Sequence, residues 1–391
     1  MQVETDAVPV THSVHLWLSR PMNWLYTQVR YLPPKFSSHV VCDETANLAE
    51  FPAANLVSAD QDHFAWRFLG RHSWQIARRR QSYLLRRQAR RYQAQLLHSH
   101  FGDRGWANIR DASRLDMKHV VTFYGYDVSR LPYIEPMWHD RYAELFRSAQ
   151  LFLCEGPHMR QALVKLGCPE EKAKVHHLGI RVDEVTFRPR SWRPGEPLRV
   201  LIAGSFREKK GIPDALEALA LIKTRVELEI TIIGDTNTEP RSQAEKARIL
   251  ATIDRCDLQT RTRLLGYQPY SNLMSEAHRN HVFVSPSVTA SDGDTEGGAP
   301  VSIIDMAASG MPVVSTRHCD IPEVLEHGVT GLLAEEHDID GLARNLYWLL
   351  DNPEAWEPMV STARRHIEQE FNATVQGHRL GTHYDRLIGH G

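Results

Sequence analysis

The 391-residue chain has few cysteines, almost no net charge and no long apolar run, and each shortage argues against a class of protein. Its five cysteines, Cys42, Cys154, Cys168, Cys256 and Cys319, are scattered and odd in number, without C-x-x-C spacing. That pattern speaks against a disulfide framework or a structural zinc site and suits small buried hydrophobes. A formal net charge of −2 gives no global attraction to nucleic acid, so none is expected as a partner. No apolar stretch approaches the ~18 residues of a membrane span. The N-terminus carries acids where a signal peptide has bases, so a cytoplasmic protein is expected. No strand runs into G-x-G-x-x-G, which disfavours a dinucleotide dehydrogenase, and neither short repeats nor low-complexity tracts occur.

What is present is an ordinary globular composition, 42% hydrophobic and 24% charged, in a chain long enough for two cores. Strand-like segments alternate with helical or loop segments. In the first half they are Ser13 to Leu18, His39 to Cys42, Gln95 to His98, His119 to Phe123 and Leu151 to Cys154, with a short helix over Asn23 to Tyr31. A Pro-rich stretch, Phe187 to Pro197, reads as an interdomain linker. Beyond it come Arg199 to Ala203, Glu227 to Ile233, Arg263 to Leu265, His281 to Val284 and Val313 to Thr316. This alternation predicts α/β architecture with two doubly wound, Rossmann-like domains, over residues 1–190 and 191–372.

The richest segment is Ser291 to Thr316. An acidic loop ending in Glu296 meets Gly297, Gly298 and Ala299; Pro300 follows at what reads as the first helical position. Val301, Ile304 and Ala308 give an apolar helical face, Gly310 a C′ stop, and Val313 to Thr316 a buried strand. A helix that starts beside bare backbone offers unsatisfied N–H groups and a positive dipole end to an anion. A carboxylate just before it can bind sugar hydroxyls. A second anion element is Gly204 to Gly211, GSFREKKG, at the end of a strand, where Arg207 brings a planar fork and Lys210 a point charge. A solvated basic turn is the plain alternative.

Together these segments resemble the family-4 glycosyltransferases, retaining enzymes of the GT-B fold, especially the colanic-acid and amylovoran exopolysaccharide type. The family signature is Glu, seven residues, Glu; here Glu296 matches the first acid and Asp305 the second, with one extra residue between them. The resemblance implies two facing domains with a cleft, nucleotide sugar on the second and acceptor on the first, and a terminal helix at 373–391 packing back on the first. It implies Glu296 near the donor sugar, Gly297, Gly298, Ala299 and Pro300 at sugar and diphosphate, Asp305 on the ribose, and Arg207 with Lys210 on the diphosphate. Ser205 stands where the family has Arg, next to Gly204. Gly234 and Asp235, with Tyr267 and Gln268 beneath the nucleobase, are softer donor contacts. Acceptor-side matches are His100 in HSHFG, Tyr124, Gly125 and Asp127 in TFYGYDVS, with Tyr124 where the family has His, and Gly179 in HHLGI.

The expected activity is metal-independent retaining transfer from a UDP- or GDP-sugar to a glycan or lipid-linked acceptor, with no cofactor. Asp292, Asp294 and Glu296 are the closest approach to an acidic metal site, and His98 and His100 are expected on opposite faces of their strand, unable to share an ion. From Arg71 to Arg91 eight arginines and no acid are interleaved with apolar residues, a basic amphipathic helix that can meet an anionic membrane at the inner face of the plasma membrane or simply expose a solvated face. A GT-B sugar-nucleotide epimerase, and a binding module whose site has decayed at Ser205, Tyr124 and Asp305, are the rival readings.

Overall fold

A computed structural model describes residues 7–19, 22–61 and 74–389. The chain forms two compact units: Met1–Gly179 together with Ala373–Gly391, and Ile180–Asn372.

In the first unit seven parallel strands are ordered β3-β2-β1-β4-β5-β6-β7. They are β1 (Val8–Trp17), β2 (Phe36–Thr45), β3 (Leu56–Ser58), β4 (Leu96–His100), β5 (Lys118–Thr122), β6 (Leu151–Cys154) and β7 (Ala173–Val175). Side chains alternate between the two covered faces. Leu96 and Val120 join Val10 under Leu380 and Tyr384 of the last helix, Ala373–Ile388, whereas Leu97 packs with Leu84, Leu85 and Ala89 of the helix Trp74–Tyr92 on the other side. The last helix therefore covers the first sheet.

The second unit is a six-stranded parallel sheet, ordered β10-β9-β8-β11-β12-β13. Its strands are β8 (Leu198–Ala203), β9 (Leu228–Ile233), β10 (Thr262–Leu264), β11 (Val282–Ser285), β12 (Val313–Thr316) and β13 (Leu332–Ala334). Leu198, Val200 and Ile202 face one core with the helix Ile212–Ile222, and Leu201 faces the other with the helix Val301–Ala308. The Pro-rich stretch lies on this unit. Buried Arg190 donates to the Ser309 carbonyl at 2.9 Å and the Ala277 carbonyl at 3.1 Å, and Trp192 enters the core.

Both sheets reverse direction of strand addition once, between β1 and β4 and between β8 and β11, and in open α/β sheets the crevice off the carboxyl ends at such a point is where ligands bind. The first unit is rich in buried histidine. His12, His98, His100, His119 and His176 are buried, and burial pushes each pKa down, to about 3 for His12, His119 and His176. A histidine whose folded pKa is depressed contributes stability above its unfolded value of about 6.5 and loses it as pH falls further. Asp127 and Asp305, each pushed up to about 7 by burial, run the other way and offset part of this. Urea titrations of the whole chain are therefore expected to show stability falling as pH drops from about 6.5 to 4, and His119→Gln is expected to flatten the slope.

Candidate functional site

At the ends of β8, β9 and β11 the loops are locked together by glycine. Gly234 has φ 142, and a Cβ there would stand 1.8 Å from the Gly204 carbonyl oxygen; at Gly211, φ 60, it would stand 1.9 Å from the Pro286 carbonyl oxygen. The loop after β8 then makes a short 3₁₀ turn, Glu208–Lys210, which carries two lysines to the acidic loop after β11. Lys210 Nζ lies 2.8 Å from Glu296 Oε1, and Ser287 Oγ donates to the same oxygen at 2.8 Å. Lys209 donates to the Thr295 carbonyl at 2.7 Å and to Asp294 at 3.2 Å. Burial would push the buried Glu296 carboxyl up, but Lys210 and Lys209 hold it down at about 2. It is an ionised carboxylate in a protein interior.

Glu296 is also held by its backbone. Its N–H donates to His318 Nε2 at 3.1 Å, and His318 Nδ1 lies 2.7 Å from Glu336 Oε1. After Gly297, at φ 78, Gly298 and Ala299 comes Pro300, which stands one position before the helix with ψ 129, so Val301 rather than Pro300 is the first helical residue. An extended ψ is compatible with a proline φ of −56 and delays the helix by one residue. Gly310, φ 84, ends that turn as expected. Asp305 is buried on the helix, takes a 3.1 Å hydrogen bond from Tyr270 Oη, and is pushed up to about 7 by burial.

The structure does not bring Arg207 to Glu296. Its guanidinium donates to Glu239 at 2.9 Å and lies 3.7 Å from Asp294, beside a pocket of about 260 Å³ that Lys209, Arg241, Glu245 and Asp292 also line. Arg241 lies 3.3 Å from both Asp292 and Asp294, so the acids nearest to a metal site are matched by cations. Ser205 accepts the Arg207 N–H through its carbonyl, and Asp235 pairs with Lys246 at 2.7 Å. Tyr267 is exposed, and Gln268 donates to the Leu265 carbonyl at 2.6 Å, both on the turn after β10.

In the first unit His98 and His100 are on the same face, their rings stacked 4.3 Å apart. Residues two apart on a strand share a face, which corrects the expectation that they diverge. With His12 they form the only group among the described residues with metal-ligand spacing. Hydroxyls already engage it: His98 lies 2.6 Å from Tyr384 Oη and 2.7 Å from Thr122 Oγ1. Tyr124 Oη donates to Gln28 at 2.8 Å, so it accepts from His100 Nδ1 at 2.6 Å, leaving His100 Nε2 to accept from His12 Nδ1 at 3.1 Å. Asp127 accepts from the Gly102 and Tyr124 amides at 2.7 and 2.9 Å and so ties the loop at Gly125, φ 97, to the helix Gly102–Arg114. Gly179 accepts from Thr27 Oγ1 at 2.7 Å, and a Cβ on it would meet Ala373 at 2.7 Å. Ser287, Lys209, His318 and Glu336 were not singled out by sequence. Their one shared signal is position: each follows a strand at its carboxyl end.

The glycosyl transferases group 1 family matches residues 183–366, and glycosyltransferase family 4 matches residues 22–184. The chain is 35% identical over 291 residues to the amylovoran biosynthesis glycosyltransferase AmsK of Erwinia amylovora, covering 74% of this chain and 69% of that one. It is 32% identical to the putative colanic acid biosynthesis glycosyltransferase WcaL of Escherichia coli, covering 74% and 70%. Anabaena HepE, solved in complex with UDP and glucose, superposes with a TM-score of 0.75 at 15% identity over 97% of this chain and all of that one. Sucrose-phosphate synthase from Thermosynechococcus elongatus gives 0.74 at 15%, over 98% and 100%.

For Glu296 the folded pKa is depressed, so its contribution to stability is present above about 4.5 and is lost as pH falls toward about 2. Lys210→Met removes its principal counter-charge. Urea unfolding at pH 7 is expected to show a loss of about 3 kcal/mol, and the acid-side slope between pH 4.5 and 2 should shrink.

Proposed function

The chain belongs to the family-4 glycosyltransferases, its second half being a group 1 transferase domain, and from that membership we propose that it is a retaining, metal-independent transferase of exopolysaccharide synthesis. That it is a glycosyltransferase with the GT-B fold follows from the family and the solved relatives. The proposal adds the donor, a UDP- or GDP-sugar, and the acceptor, a glycan or lipid-linked sugar. The named relatives in amylovoran and colanic acid synthesis support the pathway class, and HepE with UDP and glucose supports the donor class.

The observation that carries the reading is the ionised, buried Glu296 on Lys210, at the mouth of the helix Val301–Ala308 and at the switch point of the second sheet. Cleaving the anomeric C–O bond sends its electron pair to the departing nucleoside diphosphate while the sugar becomes oxocarbenium-like. Lys210 and the first amides of the helix stabilise that diphosphate, a task for which a missing donor typically costs ~10²–10³ in rate. Glu296 accepts from sugar hydroxyls and orients the ring. The acceptor oxygen bonds to the anomeric carbon on the face that the diphosphate leaves, and its proton passes to the leaving phosphate oxygen, so configuration is retained without a covalent carboxylate intermediate. Tyr270 takes up Asp305, so the ribose contact of the family signature calls for a rotated Tyr270 or a second hydroxyl partner on the same carboxyl. Metal independence is supported by the lysines at Glu296 and by the arginine partners of Asp292 and Asp294. His100, Tyr124, Gly125, Asp127 and Gly179 form the acceptor side in this reading.

Arg71 lies outside the described residues. Within the helix Trp74–Tyr92, Leu84, Leu85 and Ala89 are buried while Arg79, Arg87, Arg90, Arg91 and Tyr83 are exposed, which supports peripheral contact of a cytoplasmic enzyme with anionic lipid. Among the described residues no helix is long and apolar enough to cross a membrane.

Release of UDP or GDP from a panel of nucleotide sugars is expected to continue in EDTA and to fall about 10²-fold in Glu296→Gln; near-normal turnover by that variant removes Glu296 from the chemistry, and loss in EDTA restored by a divalent ion removes metal independence. Co-sedimentation with phosphatidylserine vesicles is expected at low ionic strength and should weaken as salt is added; background binding at low salt ends the membrane reading.

A further inference from the structure

Glu296 is held at both ends. Its carboxylate is fixed by Lys210 and Ser287, and its backbone by His318, a side chain on a different loop, just past β12. His318 is buried, the Glu296 N–H donates to its Nε2 at 3.1 Å, and Cys319 Sγ lies 3.2 Å from the same nitrogen. Burial pushes the Cys319 thiol up to about 12, so it keeps its proton. A nitrogen that accepts the Glu296 N–H cannot carry a hydrogen of its own. The proton is therefore on Nδ1 and is donated to Glu336 Oε1 at 2.7 Å. Glu336 is in turn fixed through its other oxygen, which accepts the Thr289 N–H at 2.7 Å. Thr289 belongs to the loop between β11 and Glu296, so the chain of bonds leaves that loop at Glu296 and returns to it seven residues earlier.

We propose that His318 is a positioning residue, held in one tautomer by Glu336, whose Nε2 sets the backbone of Glu296 and thereby aims the carboxylate and the amides that follow it at the donor sugar and diphosphate. The inference rests on the assignment of Glu296 to the reaction. The geometry is that of an outer-shell carboxylate orienting an imidazole, with a backbone N–H in the place where such pairs usually hold a reacting group or a metal. A merely packed histidine needs neither a defined tautomer nor a second-loop carboxylate. A positioning one needs both, because a displacement of about 1 Å at a reacting group can cost ~10²-fold in rate.

The side-chain lengths of the amide residues separate the two ends of the imidazole. Gln carries its amide oxygen to the position of Nε2 and can accept from the Glu296 N–H; Asn reaches only the position of Nδ1 and can meet Glu336 alone. Nucleoside diphosphate release from UDP-glucose and from GDP-mannose is measured for His318→Ala, His318→Asn, His318→Gln and Glu296→Gln, with urea midpoints as the folding control. The Ala and Asn variants are expected to lose at least about tenfold in kcat with KM for the nucleotide sugar changed by less than about threefold, and Gln is expected to recover most of the loss. Full activity of the Ala variant, equal activity of Asn and Gln, or a change confined to KM overturns the proposal. If Glu296→Gln is impaired beside an unaffected His318→Ala, only the positioning role falls; if Glu296→Gln is itself near normal, the assignment beneath it falls instead. Should the variants fail to fold, or turnover be too slow to measure, ¹⁵N imidazole shifts of the unaltered protein decide: protonation at Nδ1 is expected, and protonation at Nε2 overturns the proposal.

Discussion

The second unit is organised around one electrostatic constraint, a carboxylate that remains ionised in a buried place. The Glu296 side chain is only 7% exposed, and burial alone would drive it toward the neutral acid. Two lysines from the β8 loop reverse that preference. The requirement reaches outward from there: the lysines must come from a turn tight enough to reach the acid loop, which sets the left-handed backbone at Gly211 against the Pro286 carbonyl, and that turn must leave β8 beside β11, which the strand order provides. A buried pair of this kind contributes little net stability but is costly to break. Its presence at a strand-end crevice is therefore better explained by chemistry than by folding.

The neighbouring charges divide the work. Lys210 serves Glu296 directly; Lys209 ties the preceding residues, Asp294 and Thr295, into the same loop. Arg207 and Arg241 neutralise the acids farther out. A loop with three acids within five residues, Asp292, Asp294 and Glu296, thus keeps a fixed shape without repelling itself, and only the last carboxylate is placed where the helix amide end begins.

Most of the architecture was legible in the sequence because parallel strands buried on both faces write themselves as short apolar runs. Leu151–Cys154 and Val313–Thr316 appear with the expected limits, and the helix over Asn23–Arg30 differs by one residue. Leu56–Ser58, Ala173–Val175 and Leu332–Ala334 were not seen, since three residues are too few to display any period. Glu296 and Lys210 were recognisable from the glycines and basic residues around them. The destination of Arg207 was not, because which acid an arginine meets depends on loop paths that local spacing does not encode. His318 and Glu336 were silent for a similar reason: a histidine after one strand and a glutamate after the next acquire meaning only when the sheet sets them side by side.

The last helix has a consequence for how the molecule is born. Leu380 and Tyr384 roof over Val10, Leu96 and Val120, and Tyr384 reaches the buried His98, so this part of the first sheet stays uncovered until the helix Ala373–Ile388 has been made. During synthesis at roughly 5–20 residues per second, the later-made unit, Ile180–Asn372, has all of its own residues before the earlier one, which still lacks the helix Ala373–Ile388. Maturation on the ribosome thus runs against the order of translation, and the apolar patch around Val10, Leu96 and Val120 is the surface that a chaperone would have to shield in the interval.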